Sequence, residues 1–297
     1  MNHITVLKQE AVALLQLQPH SVVVDATYGA GGHAEEICRT LSSNGTYIGL
    51  DADKTAFTDS FLYQKSDGPK FHLINENFAK ITDVLSSLHI EKVDAILADL
   101  GWRTDQFQSG GKGFSFSSDD PLYMTYGDNE AYLFNAYDIV NSWAEEDIAN
   151  VIYGYGEERY SRRIAKLIVE RRKKAKIMTA KALADVIEEA VPAAYRNGRT
   201  NAATKTFQAL RIAVNDELKA LETFIVSAAE ALDRYGILAI ISFHSLEDRQ
   251  VKHAFRELVA TEAFAFIQKK PIVPSREELL ANPRARSAKL RAIQRVS

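Results

Sequence analysis

The run Asp25-Ala-Thr-Tyr-Gly29-Ala-Gly31-Gly32-His33 places three glycines between a short β-branched segment and a helical one. Glycines at such a turn let the backbone approach a ligand with no Cβ in the way, and the amino end of the following helix offers unpaired N–H groups. Twenty residues beyond Gly31, Asp51 closes the next β-rich run, where a carboxylate can take both hydroxyls of a ribose. Asp99 closes a further run, where an acceptor would meet a bound donor. Together these residues point to an adenosine-containing ligand and leave open whether it is a dinucleotide or S-adenosylmethionine. Three details favour S-adenosylmethionine. The glycine run does not reach the third glycine of G-x-G-x-x-G, and no G-x-x-x-x-G-K-[ST] occurs in the chain. Asn77-Phe78, after the third β-rich run, supplies an aromatic ring for adenine.

The elements that must carry these residues follow from the pattern. Strands are expected at Ser21–Asp25, Gly45–Asp51, Phe71–Asn75, Val93–Asp99 and Gly236–Phe243, with a helix at Ala34–Leu41. Strands alternating with helices imply a parallel, doubly wound α/β sheet whose ligand lies outside the carboxyl ends of the strands. Between Leu100 and about Thr204 the strand signal stops. A polar loop there is followed by helical stretches at Ala144–Tyr153, Ser161–Lys174 and Ala180–Ala190, and a long helix is expected near Thr206–Tyr235. The simplest organisation is a sheet domain over residues 1–104 and 205–297, interrupted by a helical subdomain over 105–204.

Composition narrows the class. The chain has 297 residues, 46% of them hydrophobic and 25% charged, which excludes a disordered or fibrous chain. No apolar run is long enough to cross a bilayer, and the single cysteine, Cys38, fits a reducing cytoplasm. One cysteine and seven scattered histidines leave no zinc cluster to argue for, so no metal site is expected. The net charge of −3 argues against nonspecific nucleic-acid binding, yet the bases are clustered. Arg159 to Lys176 holds nine of them against Glu170 alone, and the last fifteen residues hold five and no acid. Such stretches suit either phosphate contacts at a defined place or a solvated helix face and a frayed tail.

Eight further blocks occur in order. They are His3-Ile-Thr-Val-Leu-Lys-Gln-Glu10, the Asp25–His33 turn, Asp99-Leu-Gly101, Lys112-Gly-Phe-Ser-Phe116, Tyr155-Gly-Glu-Glu158, Lys205-Thr-Phe-Gln-Ala-Leu-Arg-Ile212, Ser242-Phe-His-Ser-Leu-Glu-Asp-Arg249 and Asn282-Pro-Arg-Ala-Arg-Ser-Ala-Lys-Leu-Arg291. The chain thereby resembles the bacterial small-subunit rRNA cytosine-N4 methyltransferase family, the MraW proteins, nearly end to end. The resemblance implies a class I methyltransferase (Rossmann-like) fold with a helical insert. It also implies transfer of a methyl group from S-adenosylmethionine to the N4 amine of a cytidine in 16S rRNA. Implied donor contacts are Gly31, Gly32 and His33, with Asp51 at the ribose, Phe78 near adenine, and Asp99 and Gln106 at the methyl end. The implied partner is small-subunit rRNA or the assembling 30S subunit, with no membrane; a homodimer is left open.

The acceptor sets the chemical demand. A cytosine amine is a poor nucleophile, so hydrogen-bond acceptors must draw on its N–H groups while donor and acceptor are held in line. Asp99 or the backbone carbonyls of Leu100 and Gly101 would serve; alternatively Asp99 holds only the methionine amino group. The base must be swung out and stacked, for which Trp102 or Tyr123 is the candidate platform. After the last expected strand, Ser245-x-x-Asp248 reads as a helix cap, and His244, Glu247 and Arg249 are candidates for the RNA cleft. Three loops depart from the family pattern: Trp102–Asp105, Leu122–Gly127, which lacks both acids and the arginine, and Asn201–Thr204. These keep two alternatives open, a diverged paralogue acting on another RNA or amine and a non-catalytic RNA-binding or ribosome-assembly factor. An NAD-dependent oxidoreductase rests on the glycine turn alone.

Overall fold

The structure is a computed structural model that describes residues 4–57, 68–101, 111–127 and 129–297. It divides into two compact units, Met1–Arg103 with Leu218–Ser297, and Thr104–Glu217. The elements of the first unit begin with α1 (Lys8–Leu14), β1 (Val22–Asp25), α2 (Gly32–Thr40), β2 (Thr46–Asp51), β3 (Lys70–Asn75), α3 (Ile81–Ser87) and β4 (Val93–Asp99). The second unit carries α4 (Ala136–Ser142), α5 (Glu145–Gly156), α6 (Ser161–Arg172), α7 (Ala180–Ala190), α8 (Ala193–Arg196) and α9 (Thr204–Asn215). The chain then continues through α10 (Glu217–Ala231), β5 (Leu232–Ser242), α11 (Ser245–Ala260), β6 (Phe264–Phe266), α12 (Arg276–Ala281) and β7 (Lys289–Arg295).

The seven strands form one sheet in the order β3-β2-β1-β4-β5-β7-β6. β1 to β5 pair in parallel, and β7 runs antiparallel to both of its neighbours. This is the α/β, class I methyltransferase arrangement expected. Its strands are apolar on successive residues because both faces are covered. Val24, Ile48, Ile96 and Leu238 face one core layer with Phe224 and Phe255, while Val23, Tyr47, Ala95 and Ile237 face another with Leu7, Ala34 and Ile37. Parallel pairing also brings the ends of β1, β2, β4 and β5 to one edge, which places Asp25, Asp51, Asp99 and Ser242 there together.

Three expectations need correcting. The long helix near Thr206–Tyr235 is two helices, because Asp216 adopts a left-handed conformation (φ 48°) between α9 and α10. The expected return to the sheet domain at residue 205 therefore differs from the observed one, since α9 belongs to the second unit. Within that unit Gly156 packs on the Lys205 carbonyl, where a Cβ would lie only 2.5 Å away. The basic carboxyl-terminal stretch is not a frayed tail but includes β7, inserted between β5 and β6. Neither β6 nor β7 is among the strands expected from the pattern of the chain. Arg295 donates to the Leu232 carbonyl at 2.9 Å, and Lys289 and Arg291 turn to Asp248 on α11.

Asp248 accepts from Lys289 Nζ and Arg291 Nε, each at 2.7 Å, tying α11 to β7. Burial opposes its ionisation, but the hydrogen bonds from Arg291 and Lys289 outweigh that and hold the carboxyl below its usual range. A depressed native value means that this stability is present above the ordinary 3.8 and is lost as pH falls through the folded value. Asp248→Asn should cost about 2 kcal/mol at neutral pH, discounted from a fully buried pair because Lys289 is 40% exposed. It should also flatten the acid limb of stability, as urea unfolding between pH 7 and pH 3 would read.

Candidate functional site

The glycine turn is built from the strand ends beside it. Tyr28 N–H donates to the Leu50 carbonyl at 2.7 Å and Gly31 N–H to the Tyr28 carbonyl at 2.9 Å, folding the loop onto β2. Gly29 and Gly31 take left-handed φ values of 57° and 74°, which an L side chain adopts only with strain. Gly32 opens α2, and a Cβ there would lie 1.7 Å from Thr5 Oγ1. The amino-terminal segment thus packs directly on the turn. It is anchored at its other end by the Leu7 N–H, which donates to Glu278 at 2.7 Å, and by Asn282, which donates to the Ile4 carbonyl at 3.1 Å.

Asp51 is held from two sides. Gly29 N–H donates to Oδ2 at 2.9 Å and Asp53 N–H to Oδ1 at 2.8 Å, while Asn75 grips the Asp51 carbonyl at 2.8 Å. Asp25 is different in kind. It is 1% exposed and accepts from Tyr47 Oη at 2.8 Å, and burial, with a smaller push from Asp51, raises its pKa to about 6. That makes Asp25 an internal pillar and not a ligand group.

Asp99 sits where β4 ends. Its own N–H donates to Thr27 Oγ1 at 2.6 Å, and its Oδ1 accepts from Gly101 N–H at 2.9 Å. Leu100 N–H continues the ladder to the Ile241 carbonyl at 3.0 Å. Gly101 has no room for a side chain, because a Cβ would lie 2.7 Å from the Phe243 ring and 2.8 Å from Asp99 Oδ1. His33 Nδ1 stands 3.8 Å from Asp99 Oδ2, and His33 is 5% exposed. Burial raises the Asp99 pKa to about 7, against the lowering effect of the Gly101 hydrogen bond and with Asp25 and Glu247 adding to the rise. A carboxyl so placed is half ionised near neutrality and suits proton acceptance.

The remaining candidates separate. Phe78 lies half-buried in a 3-10 turn capped by Asn77, its ring edge-on to Phe224 with centroids 5.1 Å apart. The cap of α11 falls one residue before the expected Ser245: His244 Nδ1 accepts from the Glu247 N–H, and Glu247 Oε2 accepts from the Phe243 and His244 N–H groups. Glu247 is therefore 5% exposed and occupied by the cap, whereas Arg249 lies exposed on the first turn of α11. Tyr123 belongs to the second unit, half-buried there, its carbonyl accepting from Ala136 N–H. Trp102 and Gln106 lie outside the described residues.

The basic stretch on α6 is also not uniform. Arg172 donates to the Val140 and Trp143 carbonyls at 2.8 and 2.6 Å, Lys176 reaches the Asn141 carbonyl, and Arg171 pairs with Glu189. Those three are tied to the protein. Arg162, Arg163, Lys166, Lys173 and Lys174 face solvent, and Arg159 lies over the rings of Tyr160 and Tyr195 at 4.8 and 5.2 Å. Thr27, Thr5, Tyr47 and Phe243 were not singled out from sequence. Thr5, Thr27 and Phe243 lie inside the motif blocks, which is the signal that could have found them; Tyr47 lies outside all of them.

Two outcomes check this geometry. Gly32→Ala should destabilise the protein by about 1–3 kcal/mol through the clash with Thr5, measured by denaturant unfolding. Asp99 is raised in the folded state, so its ionisation erodes stability as pH climbs from 3.8 towards about 7. Asp99→Asn should then be more stable than the parent at pH 8, and the difference should vanish below pH 4.

Comparison with known proteins bears directly on this site. The family model described as the MraW methylase family matches residues 1–296. A protein named ribosomal RNA small subunit methyltransferase H from Brevibacillus brevis is 42% identical over 99% of this chain and 98% of its own length. Proteins of the same name from a Wolbachia of Drosophila simulans and from Limosilactobacillus fermentum are 45% and 40% identical, over 100% and 99% of this chain and 100% and 98% of theirs. With its glycine turn, Asp51 and Asp99 gathered at one sheet edge and its length matched throughout, the chain belongs to the MraW methylase family.

Proposed function

We propose that this protein transfers a methyl group from S-adenosylmethionine to the exocyclic N4 amine of a cytidine in small-subunit (16S) rRNA. The observation that carries the reading is the convergence of Gly31, Gly32, Asp51 and Asp99 on one edge of a parallel sheet. The names borne by relatives 40–45% identical over their full length support the choice of rRNA. The residues fit the donor. The turn at Gly31 and Gly32 leaves no Cβ between backbone and ligand, and the N–H groups at the start of α2, with His33, face the donor's carboxylate. Asp51, at the end of β2, accepts from the ribose hydroxyls. Phe78 presents the uncovered part of its ring to adenine, and Gln106 completes the methyl end. When bound, S-adenosylmethionine supplies an electrophilic methyl carbon on sulfur, already activated for in-line displacement.

The chain's own task is the amine. Asp99 accepts an N–H of the cytosine amine, which localises the nitrogen lone pair for attack, and takes up the proton released as the N–C bond forms. Its pKa of about 7 suits both acts. The carbonyls of Leu100 and Gly101, fixed by the β4–β5 ladder and the Phe243 ring, hold the second N–H. Trp102 or Tyr123 stacks the extruded base, and His244 and Arg249 border the RNA. The exposed bases of α6 contact phosphate and set position more than sequence. A second reading, a diverged target amine, rests on the Leu122–Gly127 loop, where Tyr123, Thr125 and Gly127 stand in place of the family's two acids and arginine and Thr125 is buried.

Incubation of small-subunit RNA or subunits with the protein and labelled donor, followed by nucleoside mass spectrometry, should yield N4-methylcytidine. Another methylated nucleoside would establish the second reading, and no incorporation would refute methyl transfer to this RNA. The methylation rate at low substrate should rise with pH and level off above about pH 7. Asp99→Asn should lose that dependence and fall by roughly 10²–10⁴-fold.

A further inference from the structure

At the β7–β6 end of the sheet, away from the donor site, a small cavity of about 30 Å³ lies between α11, β6 and β7. Lys252 and Arg256, one turn apart on α11, line it together with Lys269, Gln268 and Arg291, and Phe255 contributes to its apolar floor. No lining residue is acidic. Arg291 is engaged by Asp248, and Lys289 shares the same carboxylate, so one acid already answers two cations beside the cavity. Lys252, Arg256 and Lys269 have no carboxylate partner among the described residues. Four positive groups around one hollow make a local positive potential that favours an anion there.

The dimensions narrow the ligand. With about 30 Å³ open to the centre of a water-sized sphere, the cavity holds a small charged group and not a whole nucleotide. A phosphodiester of a larger chain lying outside can insert an anionic oxygen there. Topology narrows it further. β6 runs parallel to β5, so Gln268 and Lys269, just past its end, stand at the same edge of the sheet as Asp99 and Ser242. A chain crossing that edge from the donor site would pass β5 and β7 and reach the cavity.

We propose that this cavity is a phosphate-binding site that takes one non-bridging oxygen of an RNA backbone phosphodiester through Lys252, Arg256 and Lys269. The inference rests on the reading of RNA as substrate and extends it to a contact outside the reacting centre. The point charges of two lysines and the guanidinium of Arg256 converge on that oxygen as charge-assisted donors.

The test compares two charge-matched double variants of the full chain. Lys252→Gln/Lys269→Gln removes two positive charges at the cavity. Lys70→Gln/Lys92→Gln removes two from the opposite edge, where β3 and β4 begin. Affinity for a single-stranded oligoribonucleotide is measured against salt concentration, with donor binding followed by calorimetry as the check on folding. The expected result, in the cavity variant alone, is a logarithmic salt slope shallower by about 0.7 for each phosphate no longer neutralised. Binding at low salt should weaken about tenfold there, with donor affinity unchanged. Equal weakening in both variants would reduce the effect to overall charge and overturn the site. So would an unchanged slope in the cavity variant, or a loss of affinity for polyglutamate, run as an acidic-peptide probe, with none for the RNA. If the parent protein shows no salt-dependent RNA affinity, the RNA reading itself fails and the site falls with it.

Discussion

The 2.6 Å hydrogen bond from the Asp99 backbone N–H to the Thr27 hydroxyl fixes where β4, with the Asp99 carboxylate at its end, stops. β1 and β4 are neighbours in the sheet; past their last pair the Ala26 N–H still donates to the Leu97 carbonyl at 2.8 Å, and the next link is made by a side chain. Thr27 makes it from the turn that also carries the glycines. The same few residues thus hold the glycine turn and aim the Asp99 carboxylate, and a shift in one moves the other. Gly101 N–H then closes on Asp99 Oδ1, and the Phe243 ring, lying where a Gly101 side chain would be, prevents that closure from relaxing.

Around this clamp the sheet edge gathers carboxylates with divided roles. Asp25 is satisfied internally by Tyr47, whose ring stacks on Phe71 with centroids 4.9 Å apart, and is withdrawn from solvent. Asp51 is half-buried and faces the ligand side with two backbone donors already in place. Glu247 is spent on the cap of α11. Asp99 feels Asp25 and Glu247 as neighbouring like charges, and burial does the rest. Confining the negative charge to one edge also favours a cationic ligand there, because a sulfonium is stabilised by the field that makes Asp99 reluctant to ionise.

Much of the sheet domain could be read from the chain because strands buried on both faces announce themselves as short apolar runs. The runs that end in Asp25, Asp51 and Asp99 did so, and their shared edge followed from parallel pairing. β7 could not be read in that way. Lys289 and Arg291 look like solvent-facing bases until Asp248, some forty residues earlier, is brought against them by α11. The break at Asp216 is equally hidden, since neither glycine nor proline marks it and Asn215 spends its side chain on the Tyr126 N–H and the Met124 carbonyl. The α11 cap was misplaced because serine is a commoner cap than histidine, although Glu247 completes the box for His244. At the site, Gly31, Gly32 and Asp51 were legible from spacing. Thr5 was not, because its contact with Gly32 depends on an anchor from α12 near the other end of the chain.

Placing β7 between β5 and β6 has a bearing on biosynthesis. The ribosome makes β5 and β6 first, yet neither can reach its final partner until the segment 289–295 has emerged. During that interval the border of β5 is an unsatisfied row of amides and carbonyls, a template for association with other nascent chains. Final closure of the sheet is therefore a late, non-local event, and it doubles as proofreading: a polypeptide cut short before Lys289 cannot zip its last strands together and is left open to proteolysis.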